Sequence, residues 1–140
     1  MSFRVEESKG KKVLHIEGAT SKDLFTAGAL GLCSQLYTVD TVKGGERCKI
    51  VMFEKDLEAL LSAWLGELLE RVQKTDICLT DFRVASIQEA QGGFLLTGEA
   101  YREATDRAKH EIREENKKLT LKGTHITEEG KHFSADVILS

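Results

Sequence analysis

Residues 56–72 read Asp56-Leu57-Glu58-Ala59-Leu60-Leu61-Ser62-Ala63-Trp64-Leu65-Gly66-Glu67-Leu68-Leu69-Glu70-Arg71-Val72. Leu57, Leu60, Leu61, Trp64, Leu65, Leu68, Leu69 and Val72 recur at i, i+3, i+4, i+7, the period of a helix with one apolar face. Asp56 stands where a side-chain oxygen can cap the first turn. Glu58, Ser62, Gly66, Glu67 and Arg71 fall on the opposite face. The pattern predicts a helix that packs on a sheet along one side and meets water along the other.

Working outward, both flanks have strand character. Lys49–Phe53 is a short apolar run. Ile77–Ile87 puts Ile77 and Leu79 on one parity and Phe82 and Val84 on the other, so a bulge is expected near Asp81. Gln91-Gly92-Gly93 turns the chain into a strand from Phe94 to Tyr101. Arg102–Lys118 is dense in charge and is read as loop or short helix. Toward the N-terminus, Phe3 and Val5 alternate with charged residues, Ser8–Lys11 turns, and Lys12–Glu17 forms a second strand. Thr20 and Asp23 have capping-box spacing, and a helix is expected from about Ser21 to Tyr37.

Leu119–Thr127 and His132–Leu139 form a final hairpin around Glu129-Gly130-Lys131. A three-residue loop would pair Thr127 with Phe133, His125 with Ala135 and Leu121 with Leu139, keeping the apolar positions on one face. The element order is ββαβαββββ. Hairpins outnumber crossovers, so the expected class is α+β: a mostly antiparallel sheet with two helices packed on one face, in a single domain over residues 1–140.

The composition bounds the function. A 140-residue chain with 41% hydrophobic and 31% charged residues can bury a core without staples. A net charge of −3 gives no overall footprint for nucleic acid, and DNA is not an expected partner. Cys33, Cys48 and Cys78 are odd in number and never at C-x-x-C spacing, which reads as buried thiols in a reducing compartment. The charged stretch Met1–Lys12 has no apolar h-region, and no run nears the ~20 residues of a membrane span. The cytoplasm is the expected location.

No motif for phosphate loops, nucleophile elbows or zincins is present. Gly44-Gly45 and Gly92-Gly93 each lead into a strand. In the register above, His125 and His132 point to opposite faces, which argues against a metal pair. His15 is read as a half-buried histidine making one hydrogen bond. Trp64 belongs to the core rather than to a base-stacking platform. Lys109, Arg113, Lys117, Lys118 and Lys122 crowd the approach to the penultimate strand. They are either a solvated mixed-charge face, since Glu111, Glu114 and Glu115 lie among them, or a phosphate-contacting edge.

Three segments together resemble the archease family: Ile16-Glu17-Gly18-Ala19-Thr20 with its helix and Val39-Asp40; the Leu60–Leu69 helix around Trp64; and Gly98-Glu99, His110-Glu111, then Lys117-Lys118-Leu119-Thr120-Leu121-Lys122. The resemblance implies a small α+β accessory protein that assists the 3′-phosphate RNA ligase of tRNA splicing, promoting its guanylylation and turnover without performing ligation. It also implies a divalent cation, often calcium, held by carboxylates at both ends of the chain. At those positions this sequence has Lys11 and Ser140, and Lys122 replaces a histidine. Calcium needs several oxygen ligands, so loss of the metal is expected and no cofactor is predicted. Asp40, His110 and Lys117 match the family's functional positions. If Lys11, Lys117, Lys122 and Ser140 converge, the resulting site suits phosphate, RNA or a partner's carboxylate, because lysines serve phosphate as point charges. The candidate site is therefore Lys11, Asp40, His110, Lys117, Lys122 and Ser140, with an RNA ligase as partner. The alternatives are a diverged archease-fold binding module with another protein or anionic partner, or an enzyme. For the last, no nucleophile–base pair is visible.

Overall fold

A computed structural model describes residues 1–140. The elements are β1 (Ser2–Ser8), β2 (Lys11–Gly18), α1 (Ser21–Ser34), β3 (Glu46–Glu54), α2 (Leu57–Thr75), β4 (Ile77–Ala90), β5 (Gly93–Ala104), α3 (Arg107–His110), β6 (Leu121–Glu129) and β7 (His132–Leu139). Short 3-10 turns occupy Val39–Thr41 and Glu114–Asn116. The predicted α+β class and antiparallel pairing hold. The strands divide between two sheets, however, in the orders β1-β2-β7-β6 and β3-β5-β4. The division turns on β2 pairing with β7 along Lys12↔Leu139 to Gly18↔Phe133, a contact between opposite ends of the chain that local patterning does not reveal.

The caps form as the sequence indicates. The Thr20 side chain accepts from Asp23 N at 3.1 Å, and Asp56 Oδ1 accepts from Ala59 N at 2.8 Å. Helix α1 ends three residues before the expected Tyr37, yet Leu36 and Tyr37 stay buried in the turn that follows. It packs against β1, β2 and β7 of one sheet and β4 of the other. Being enclosed on so many sides requires small residues: a Cβ on Gly28 would sit 3.1 Å from Ile16 Cδ1 and 3.3 Å from Leu65 Cδ2. At Gly18 a Cβ would lie 2.6 Å from Leu24 N, so that position admits no side chain.

Helix α2 buries its Leu60, Leu61, Trp64, Leu65, Leu68 and Leu69. Trp64 Nε1 donates to Phe25 O at 3.0 Å, and its ring lies where a Cβ on Gly98 of β5 would meet it at 3.4 Å. One buried cluster runs through both helices and both sheets. The α2 face predicted to meet water does not do so along its whole length. Thr124 Oγ1 of β6 donates to Glu58 O at 3.0 Å, Ser62 Oγ meets Thr124 Oγ1 at 2.7 Å, and Ile126 N donates to Glu58 Oε1 at 2.9 Å. The polar side of the helix thereby covers an edge strand whose backbone would otherwise be open to pairing.

The expected bulge in β4 is present: pairing with β5 shifts between Thr80 and Arg83, with Asp81 at φ 51°. The final hairpin differs from the expectation. Its turn has two residues, Gly130-Lys131, between the pair Glu129↔His132. Gly130 at φ 61° supplies the positive dihedral at the first position of a type II′ turn. Leu121 still opposes Leu139 because Lys122 is bulged out between the pairs Leu121↔Leu139 and Gly123↔Ile138. The apolar match is thus achieved by a bulge rather than by a longer loop. This register puts Ile126 opposite Ala135. It also sets His125 and His132 at positions of the same parity, correcting their assignment to opposite faces. They find separate partners: His125 lies 3.2 Å from Glu58 Oε1 and His132 3.9 Å from Glu17 Oε2.

Candidate functional site

Three of the six candidate residues, Lys11, Lys122 and Ser140, have their backbones at one end of the first sheet, and Lys117 lies on the segment that leads into it. Lys11 opens β2, one step beyond the pair Lys12↔Leu139. Ser140 follows β7 and is locked to Thr120: its N–H donates to Thr120 O at 3.0 Å, and its carbonyl accepts from Thr120 N at 2.8 Å and Oγ1 at 2.9 Å. Lys122 is the bulged residue of β6, so its backbone leaves the ladder two residues from Thr120. Lys117 ends the Glu114–Asn116 turn, where its carbonyl accepts from Gln73 Nε2 at 3.2 Å. Lys11, Lys117 and Lys122 are exposed, and none has a carboxylate within the 4.0 Å of an ion pair, whereas neighbouring Lys12 reaches Glu7 at 3.2 Å. The three lysines therefore give this end exposed positive charge. They do not suit calcium, which is held by oxygen ligands and is itself repelled by an ammonium group. No group of three or more His, Cys, Asp or Glu side chains is placed to hold a metal ion.

Asp40 lies in the turn that follows α1, and His110 ends the short helix α3. Asp40 is exposed in the turn after α1 and borders a shallow groove with Phe3, Thr38 and Arg113. His110 is fully buried, so it is not a surface contact as placed here. Asp106 N donates to its Nδ1 at 3.0 Å, which leaves the ring hydrogen on Nε2, 2.7 Å from Glu103 Oε1. His110 O accepts from Thr38 N at 2.9 Å. The residue therefore pins the charged 102–118 segment to the end of α1. His15, as expected, is half-buried and bonds one partner, Asp136 Oδ1, at 2.5 Å.

Glu103 is the member of this network that the sequence did not single out. Its carboxylate accepts from Lys43 N at 3.0 Å, from His110 and from Lys109 Nζ at 3.2 Å. The Lys43 amide first, then the His110 ring, hold its carboxyl down to about 2. A carboxyl lowered on folding stabilises the fold above its unfolded value and loses that contribution as pH falls through the folded value. Acid titration should therefore reduce the melting temperature between about pH 4.5 and pH 2. Glu103→Gln should melt lower at neutral pH and show a flatter acid limb; parallel limbs for the two proteins would contradict this account.

Two of the three thiols, Cys33 and Cys78, are held in the protonated form. Burial pushes Cys33 up to about 12 and raises Cys78, and a reactive cysteine needs the opposite shift.

The Archease protein family model matches residues 3–139. This chain belongs to the archease family. It is 37% identical to the archease of Thermococcus gammatolerans over 109 residues, 78% of this chain and 76% of that one. It is 29% identical to the archease of Methanosarcina barkeri over 122 residues, covering 87% and 84%. The solution structure of Methanobacterium thermoautotrophicum protein 1598 superposes with a TM-score of 0.77 at 26% identity, covering 98% of this chain and 96% of that one. Trp64 and Gly98, drawn from two of the segments that carried the resemblance, are packing partners in this fold. No helix of this archease is long and apolar enough to cross a membrane.

Proposed function

We propose that this archease-family chain assists a 3′-phosphate RNA ligase in tRNA splicing or RNA ligation, acting in the cytoplasm as a non-catalytic accessory. What supports this reading is the placement of Lys11, Lys122 and Ser140 at one end of the first sheet, with Lys117 on the segment that leads into it. In this reading the amines neutralise an anion, either phosphate of the RNA or a carboxylate of the ligase, and the Ser140 hydroxyl adds a hydrogen bond. The amine-rich donor set does not fit a bound calcium, so no step runs through one. Asp40, exposed in the turn after α1, would meet a cation of the partner.

The test is multiple-turnover RNA ligation by a ligase from the same organism, with and without this protein. Stimulation beyond one turnover is expected. Lys117→Ala should weaken binding of a 3′-phosphorylated oligonucleotide by about fivefold, the size of an exposed ion pair worth about 1 kcal/mol. Unchanged affinity would count against the lysine's role.

The exchange of carboxylates for Lys11 and Ser140 also favours a second reading: a diverged binding module with a different protein or anionic partner. A folded protein that leaves ligation unstimulated would select it.

A further inference from the structure

Between the C-terminal end of α2 and the 105–117 segment lies a cleft of about 60 Å³. Leu36, Val72, Ile77 and Ile112 supply apolar lining, and Arg113 and Lys117 stand at the cleft with them. A third cation, Arg107, is already matched, to Glu114 at 3.4 Å and Asp76 at 4.0 Å. Arg113 makes one side-chain hydrogen bond, Nη1 to Thr38 Oγ1 at 3.4 Å, and like Lys117 has no carboxylate in ion-pair range.

The two properties together restrict the occupant. An apolar cavity of ~150 Å³ accommodates a benzene ring, so a cleft of about 60 Å³ encloses the tip of an aliphatic side chain rather than a whole ring. A free phosphate would satisfy the cations and leave the apolar lining unused. An unbranched hydrophobic contact alone would leave two cations uncompensated. A side chain such as leucine beside a carboxylate uses both.

We propose that this cleft docks a segment of a protein partner in which an aliphatic side chain is flanked by acidic residues. The proposal rests on the accessory reading, because it supplies a contact that such a partner would make, and Lys117 links the cleft to the lysine cluster. The aliphatic tip enters between Ile77 and Ile112, and the flanking carboxylates face Arg113 and Lys117. Charge sets orientation and encounter rate here, while the buried tip supplies apolar contact.

The experiment is an NMR titration of the full chain with a capped peptide carrying leucine between aspartate and glutamate. The methyl signals of Ile77 and Ile112 should shift saturably. A peptide with lysines flanking the leucine, or with serine in its place, should leave them unmoved. Arg113→Glu should weaken binding roughly tenfold, equivalent to ~1.4 kcal/mol; should that variant not fold, Lys117→Glu, at an exposed position, provides the same reversal. Four results overturn the proposal. They are unmoved methyls, equal response to the lysine-flanked peptide, equal response to inorganic phosphate, and concentration-dependent shifts without peptide, which would mark a second copy as the occupant. Failure of ligation stimulation with peptide binding intact would strike the accessory reading and leave the cleft assignment standing.

Discussion

Trp64→Ala should lower the free energy of unfolding by about 3–5 kcal/mol, the cost of emptying a fully buried tryptophan site. Three separate elements lose a partner at once. The indole N–H leaves Phe25 O of α1 without its donor, the apolar face of α2 loses its largest side chain, and Gly98 of β5 loses the ring that lies over it. Gly98 has no side chain with which to refill the space, and a rigid sheet behind it limits collapse. Domains of this size have only about 5–15 kcal/mol in total, so the variant should be largely unfolded at moderate urea concentrations where the parent protein remains native. Urea denaturation followed by far-ultraviolet circular dichroism measures the difference. A loss below about 1 kcal/mol would mean that the core relaxes around the cavity far more than this packing allows.

Tyr37→Phe is the second large effect and isolates hydrogen bonding from packing, because the ring is kept. Tyr37 is fully buried, and its hydroxyl both donates to Leu79 O and accepts from Leu79 N, each at 2.7 Å. Burial holds the phenol well above its ordinary pKa, so the hydroxyl keeps the proton it donates. β4 is the outer strand of the β3-β5-β4 sheet, and on that edge the hydroxyl stands in for a neighbouring strand, two residues before the Asp81 bulge. Removing it leaves two buried backbone groups unpaired, at about 1–3 kcal/mol for each. The urea midpoint should fall with an unchanged slope, and the Leu79 amide should exchange faster with solvent. Wild-type exchange at Leu79 in the variant would show that another acceptor replaces the phenol.

Much of the fold was legible because it is local. The helix periods at Leu24–Cys33 and Leu57–Val72, the Thr20 and Asp56 caps, and the phase change at Asp81 all depend on residues within one or two turns of each other. The final hairpin shows where that logic weakens. Matching Leu121 with Leu139 was correct, but a local pattern cannot distinguish a longer loop from a two-residue turn compensated by a bulge at Lys122. The chosen solution rests on Gly130, whose positive φ makes the tight turn accessible. The error then reversed the relation between His125 and His132, since one residue of slip moves every side chain to the other face.

The candidate site divides in the same way. Lys11, Lys122 and Ser140 were grouped in the sequence only by the family resemblance, because the β2–β7 pairing that carries Lys11 toward Ser140 joins the two ends of the chain. His110 could not be judged. Its burial and its Glu103 and Asp106 partners depend on how residues 102–118 fold back over the end of α1, and that segment has no period to read. The cleft beside Lys117 was invisible for the same reason: Val72, Ile77 and Ile112 come from separate elements with no shared pattern.

The sequence by itself determined the class, the order of the main elements and the caps, because each follows from residue spacing and short-range sterics, while the family followed from the resemblance of three segments to a known pattern. Tertiary structure alone decided the split into two sheets, the sealing of the β6 edge by the polar side of α2, and the burial of His110. Those outcomes depend on which distant surfaces meet, and the free energy of such meetings is shared among residues far apart in the chain.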